Sequence, residues 1–215
     1  MTRAPHFRDR AEAGRRLASV VATLRLDDAV VLGLPRGGVP VAAEVAVAIG
    51  GPLDVLVARK LGAPRQPELG IGAIAEGGGR VLDERSLALL RVTDEQLADV
   101  VTREEHELAR RIARYRGDRP LRSLHDRTIV LVDDGLATGV TATAAVRSVL
   151  LLGAARVIVA VPVAAPDAVE RLDAEGSEVV VVGAPASFGA VGQFYDRFAP
   201  TTDEEVERLL ARATG

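Results

Sequence analysis

Thr128-Ile-Val-Leu-Val-Asp133-Asp134-Gly135-Leu-Ala-Thr138-Gly139-Val-Thr141-Ala-Thr-Ala144 decides how the rest of the chain is read. A β-branched apolar run, Thr128 to Val132, ends in two adjacent carboxylates, and a turn holding Gly135, Thr138, Gly139 and Thr141 follows before helical spacing resumes through Val146 to Leu152. A strand feeding a glycine-rich turn and a helix N-terminus converges unpaired backbone N–H groups, with the helix dipole adding positive potential, and so suits an anion. Two carboxylates in front of such a cradle repel a bare phosphate. They fit a ligand that carries hydroxyls beside its phosphate, because carboxylates accept hydrogen bonds from a ribose diol and can also hold Mg²⁺. The plain alternative is a buried strand with a polar turn, which does not need this many special residues in this order.

The order apolar strand, two acids, Gly, two residues, Thr-Gly, one residue, Thr resembles the diphosphoribose-binding signature of the type I phosphoribosyltransferases. The resemblance implies that Asp133 and Asp134 hold the ribose hydroxyls and act as the catalytic pair, and that Gly135, Leu136, Ala137, Thr138, Gly139, Val140 and Thr141 hold the 5′-phosphate. It also implies 5-phospho-α-D-ribosyl 1-diphosphate (PRPP) as substrate and a small-molecule acceptor. Mg²⁺ is then held mainly through the substrate, with Asp133 and Asp134 as the protein's own candidate ligands; a homo-oligomer, a dimer, is the expected assembly.

A second turn repeats the logic. The apolar run Ala29 to Leu34 breaks at Pro35-Arg36-Gly37-Gly38, and a helix reads from Val39 to Ile49. Two glycines expose backbone N–H groups and Arg36 supplies charge. In a parallel sheet the strand carboxyl ends lie on one edge and ligands gather there. The Arg36 and Asp133–Asp134 turns should therefore open into one crevice, suited to a ligand with two separated phosphate groups. The family resemblance agrees: Arg36, Gly37 and Gly38 match the family's pyrophosphate loop, which often carries a strained or cis peptide. Arg59-Lys60 follows the next apolar run, Leu53 to Ala58, and the resemblance points this basic pair at the pyrophosphate; a solvated loop is the alternative. Lys60 is the only lysine among 27 basic residues.

Further apolar runs at Arg156–Val161 and Glu178–Val182, with helices at Thr141–Leu152 and Pro166–Ala174, complete a strand–helix rhythm. Runs apolar throughout are those of strands buried on both faces. The fold class is α/β, a parallel central sheet of about five strands flanked by helices. One domain spans 1–215, and 61–127, which breaks the rhythm, is an inserted hood or flexible-loop region. Within it Ala63 to Glu68 reads as irregular, Gly70 to Ala75 as a short strand and Gly77-Gly78-Gly79 as a flexible break able to close over the site. Thr93 to Arg116 reads as a long charged helix whose Thr93 and Gln96 form a capping box. Gly70-Ile71-Gly72-Ala73-Ile74-Ala75 fits G-x-G-x-x-A formally, but the strand before it and the helix after it are missing. Glu76 is a candidate acceptor contact if a mobile loop carries it inward, and a surface-turn residue otherwise. Phe194 and Tyr195 are candidate stacking partners for a nucleobase acceptor; packing with Phe188 and Phe198 under a C-terminal helix, Thr202 to Ala211, is the simpler account.

Composition narrows the rest. Net charge is −3 with no basic stripe, so no nucleic-acid partner is expected. There is no cysteine, and His6, His106 and His125 lack ligand spacing, which leaves no thiolate chemistry and no His-based zinc site. The N-terminal residues lack a signal-peptide apolar core and no apolar run reaches roughly 18 residues, so a cytoplasmic protein without a membrane partner is expected. The rival functions are a non-catalytic PRPP-binding sensor, and a phosphatase or kinase using the acids for metal; the missing P-loop lysine motif speaks against a kinase.

Overall fold

The computed structural model describes residues 4–213. In chain order the elements are α1 (Arg10–Val21), β1 (Val30–Gly33), α2 (Gly38–Ile49), β2 (Leu53–Val55), β3 (Ala58–Ala63), β4 (Gln66–Ala75), β5 (Arg80–Leu82), α3 (Glu84–Leu89) and α4 (Asp94–Arg116). β6 (Thr128–Val132), α5 (Val140–Leu151), β7 (Arg156–Val163), α6 (Pro166–Ala174), β8 (Glu178–Gly183) and α7 (Asp203–Ala213) follow.

Five of the strands form one parallel sheet in the order β2-β1-β6-β7-β8. Alternation along each strand divides the core. Val31, Val130 and Val132 face α1 and α2. Val30, Leu32, Ile129 and Leu131 face α5 and α6. Each such valine or leucine contributes roughly 1.5–3 kcal/mol on full burial, which is why these strands carry no polar face. Gly33 is in register with both Val55 and Val132, so β1, β2 and β6 end level and their following turns leave one edge.

Local chemistry places the helices. Asp9 caps α1 by accepting from the Glu12 N–H. The Thr93–Gln96 capping box is reciprocal, each side chain bonded at 3.2 Å to the other's backbone N–H. Pro166 opens α6 and Gly50, at φ 66°, closes α2.

The stretch between β2 and β6 departs from the expected layout. Leu53 to Ala58 is not one strand: pairing with β1 stops at Val55, the Leu56 N–H donates to Gly33 O at 3.2 Å, and Ala58 starts a second, antiparallel sheet, β3-β4-β5. Ala63 to Glu68 is a tight hairpin rather than irregular chain, with Ala63 paired to Gln66 and register shifts on either side of Gly62. β4 is longer than the short strand expected from Gly70. One face of this sheet packs its small residues, Ala58, Ala73 and Ala75, on Ala144 and Val140 of α5; the other packs Leu61, Ile71 and Ile74 on Val100 and Val101 of α4. The Gly77–Gly79 turn is a packed turn in this structure. It lies against α5, where a Cβ on Gly77 would sit 2.8 Å from Leu152 Cδ1 and one on Gly79 2.6 Å from the Ser148 nitrogen.

The C-terminal aromatics also find a different partner from the one expected. Phe188, Phe194, Tyr195 and Phe198 pack with Phe7, Ala13 and Val163, and α7 instead contributes Val206 and Leu210 to the core beside α2. Backbone bonds zip the two chain ends together: Phe7 N–H to Phe194 O (2.8 Å), Asp196 N–H to Phe7 O (2.9 Å) and Arg197 N–H to Arg8 O (2.9 Å).

Candidate functional site

The acid turn begins where β6 runs out. Asp133 folds its side chain back so that Oδ1 accepts the Asp134 N–H at 2.8 Å. Leu136 is buried, and its N–H donates to Val163 O while its carbonyl accepts the Ala165 N–H, which pins the turn to the end of β7. Ala137 and Thr138 are exposed at the tip. Gly139 leads into α5 at φ 72°, a conformation that only glycine adopts at little cost. Helix α5 thus starts directly behind the tip, with Val140 and Thr141 on its first turn.

The Arg36 turn lies against the acid turn. The Leu34 N–H donates to Val132 O at 2.8 Å, extending the β1–β6 pairing past the strands. The Pro35–Arg36 peptide is cis. Gly37 faces the Asp134 carboxylate, and Gly38 packs so closely on the end of β6 that a Cβ there would come within 2.8 Å of Asp133 Cα. The absence of side chains at both glycines is what lets the two turns touch. Arg36 is 40% exposed, with Nη1 3.9 Å from Asp203 Oδ1 at the start of α7.

Burial raises the Asp133 carboxyl well above the ordinary carboxylate range, and the neighbouring Asp134 charge adds to the rise. Burial raises Asp134 too, but Arg10 opposes it. Arg10 Nε donates to Asp134 Oδ2 at 2.8 Å, in a pair whose side chains are only 12% and 14% exposed. Tyr195 donates its hydroxyl to the backbone carbonyl of Asp134 at 2.6 Å.

The other sequence-derived candidates lie elsewhere. Arg59 and Lys60 do not follow β2 in a loop; both are on β3. Arg59 forks onto Glu104 of α4 (Nη2–Oε2 2.8 Å), and Lys60 Nζ donates to Glu68 O at 2.6 Å. Glu76 is neither a mobile acceptor contact nor a plain surface residue. It is ion-paired with Arg116, whose side chain is 2% exposed and lies 4.0 Å from Asp54. Burial raises the Glu76 carboxyl against the pull of Arg116, and Glu76 Oε2 and Arg116 Nε have no hydrogen-bond partner among the described residues. Phe194 and Tyr195 are 4% and 6% exposed within the aromatic cluster and present no open ring face. A cavity of about 430 Å³ between the β3–β4 hairpin and the start of α4 is lined by Arg65, Gln66, Arg91 and Gln96, away from both turns.

Arg10, Arg116 and Asp203 carry no motif. Arg10 sits in an N-terminal run with Arg8, Arg15 and Arg16, and nothing in spacing separates it from solvated arginines. For a metal, the described residues hold no group of three or more His, Cys, Asp or Glu side chains. Two adjacent carboxylates, one already paired with Arg10, do not cage an ion alone. They fit Mg²⁺ of the kind held by one or two carboxylates together with substrate phosphates.

A family model described as the phosphoribosyl transferase domain matches residues 9–192. A Mycobacterium tuberculosis H37Rv protein provisionally named a phosphoribosyl transferase is 49% identical over 208 residues, which cover 96% of this chain and 47% of that protein. The chain thus spans about half the length of the curated relatives it matches. The crystal structure of TT1426 from Thermus thermophilus is 49% identical, covers 98% of this chain and 100% of its own, and superposes with a TM-score of 0.81. A Neisseria gonorrhoeae hypothetical protein solved with bound ppGpp shares the fold at 13% identity and a TM-score of 0.50, over 99% of this chain and 98% of its own. Among the described residues no helix is long and apolar enough to cross a membrane.

Proposed function

Because the chain belongs to the phosphoribosyl transferase domain family, we propose that it is a pentosyltransferase that binds PRPP with Mg²⁺ and transfers phosphoribose to a nitrogen acceptor, releasing pyrophosphate. The observation that supports the reading is the contact between the two turns: Gly37 and Gly38 lie directly on Asp134 and Asp133, close enough for one ligand to reach both.

In this reading Asp133 and Asp134 accept hydrogen bonds from the ribose hydroxyls, and Gly135 to Thr141 cradle the 5′-phosphate at the N-terminus of α5. The diphosphate lies along Gly37 and Gly38, with the exposed Arg36 guanidinium free to swing from its long contact with Asp203. The bond from ribose C1 to the diphosphate oxygen breaks with its electron pair leaving on pyrophosphate, the acceptor nitrogen bonds to C1, and the acceptor loses a proton. Positive charge that develops on the ring is stabilised by the two fixed carboxylates, an electrostatic role that needs no covalent nucleophile. Mg²⁺, when bound, supplies charge that offsets the diphosphate, held by substrate oxygens with Asp133 and Asp134. Arg59 and Lys60 remain candidates for the diphosphate, Arg59 if it leaves Glu104 and the exposed Lys60 if it leaves the Glu68 carbonyl. The segment 61–127 serves as the hood on which acceptor choice depends.

One observation favours a second reading, a PRPP-binding sensor. Glu76, a candidate acceptor contact, is tied to Arg116 in the interior. Calorimetric titration with PRPP and Mg²⁺ tests both readings together, and no binding sinks both. Pyrophosphate release across purines, pyrimidines and small amines separates them, since a sensor binds and releases none.

A further inference from the structure

We propose that Arg10 is a positioning residue for the ribose-binding carboxylate: it holds Asp134 as a fixed acceptor, and the C-terminal segment 195–199 holds Arg10. The inference rests on the PRPP-binding reading above and adds to the site a residue that neither turn contains.

Arg10 is held on three sides. Nε bonds Asp134 Oδ2 at 2.8 Å, Nη1 bonds Ala199 O at 2.7 Å, and the guanidinium carbon lies 4.0 Å from the centre of the Phe198 ring. A planar guanidinium satisfies these together, because its donors and its π-face point in different directions; an ammonium has no such fork. The same segment grips the other half of Asp134, since the Tyr195 hydroxyl donates to its backbone carbonyl. The Tyr195 and Phe198 rings are in tilted contact, with centroids 4.9 Å apart, so the two contacts on Asp134 and Arg10 come from one packed segment.

The chemistry needs such a device. A ribose hydroxyl is a donor, so its partner has to be an acceptor. A fixed cation behind Asp134 holds its carboxylate in one orientation, with the remaining lone pairs available to accept that bond. It also offsets one of the two negative charges that the ligand's phosphate has to approach. Among the described residues Asp133 has no comparable cation within bonding distance, so the pair is electrostatically asymmetric.

The test is PRPP affinity, by calorimetry in the presence of Mg²⁺, for wild type, Arg10→Gln, Arg10→Lys, Phe198→Leu, Asp134→Asn and the Arg10→Gln/Asp134→Asn double variant, with melting curves recorded for each. Loss of a charged hydrogen bond predicts roughly 10- to 100-fold weaker binding for Arg10→Gln. Arg10→Lys recovers part of this, and Phe198→Leu, which leaves the ion pair in place, loses a few-fold. In the Asp134→Asn background Arg10→Gln costs less than about 2-fold further, because the residue it serves is gone. Equal affinity of Arg10→Gln and wild type overturns the proposal, as does an undiminished Arg10→Gln loss in the Asp134→Asn background. Should Arg10→Gln fail to fold, Arg10→Lys and Phe198→Leu decide, and wild-type affinity in both overturns it. If wild type itself does not bind PRPP, the functional reading has failed as well, which the variants alone cannot produce.

Discussion

Gly37 faces the carboxylate of Asp134 so closely that a Cβ on Gly37 would lie 2.7 Å from Asp134 Cγ. Two turns far apart in the chain are thereby fitted to each other by the lack of a side chain, and Arg10 stops Asp134 from moving aside.

Gly37→Ala should therefore act on the site itself. Overpacking typically costs about 1–3 kcal/mol, and here the atom displaced is a proposed ligand contact. PRPP affinity is expected to fall at least ~10-fold, a loss of about 1.4 kcal/mol or more in binding, with a modest drop in melting temperature. Calorimetry and thermal denaturation of the same sample check this, and wild-type affinity would refute the close fit.

Asp133→Asn should raise stability more than Asp134→Asn, while both weaken PRPP binding. Burial raises the folded-state pKa of Asp133 above its unfolded value, so the folded state binds the proton more tightly. Stability is then greatest below the unfolded value near ~4, falls as pH rises toward the folded value, and carries the whole cost above it. Asp133→Asn removes that cost and should stabilise by about 1–2 kcal/mol at pH ~8 but not at pH ~3. Burial raises Asp134 in the same direction but Arg10 opposes the rise, so Asp134→Asn should gain less than Asp133→Asn over the same pH range. Urea denaturation at the two pH values measures both; equal behaviour of the two variants would contradict the asymmetry.

Arg116→Met strands two buried carboxylates, Glu76 and Asp54. Removing one member of a buried ion pair costs about 3–5 kcal/mol, whereas replacing both with apolar groups is often near neutral. The single variant should lose most of that amount in urea denaturation, and Arg116→Met/Glu76→Leu should regain more than half. A double variant as unstable as the single would mean that the cluster acts through some other contact.

The chain has two tyrosines and no tryptophan, so near-ultraviolet phenolate absorbance reads each ionisation cleanly. Burial, then the hydrogen bond to Asp203, push Tyr115 up to about 12; burial, then the Asp134 charge, raise Tyr195 further. Neither should ionise near the ordinary ~10 while the protein is folded. Tyr115 contributes stability that is complete below pH ~10 and lost as pH rises through its raised value. Tyr115→Phe should remove the first absorbance step, and a step near pH ~10 in folded wild type would refute the burial of both rings.

Much of this molecule is legible in local chemistry. Unbroken apolar runs at Thr128–Val132 and Arg156–Val163 identify strands covered on both faces, and the Thr93–Gln96 box gives the start of α4. Both glycine turns and the acid pair are visible because strand, turn and helix start are contiguous in sequence. Leu53–Ala58 misleads because its apolar run continues while the pairing partner changes at Val55. Arg59 and Lys60 mislead for the same reason: a basic pair after an apolar run looks like a loop until β4 pairs with it.

By itself, then, the sequence determined the strand–helix order of the central sheet, the two glycine turns and their placement on one sheet edge, since each is written in contiguous strand–turn–helix segments. The tertiary structure alone decided which charges meet: Arg10 with Asp134, Arg116 with Glu76, and Arg59 with Glu104. Coulomb and hydrogen-bond partners are chosen by distance in space, and an arginine that reaches a distant carboxylate has the same local pattern as one that reaches water.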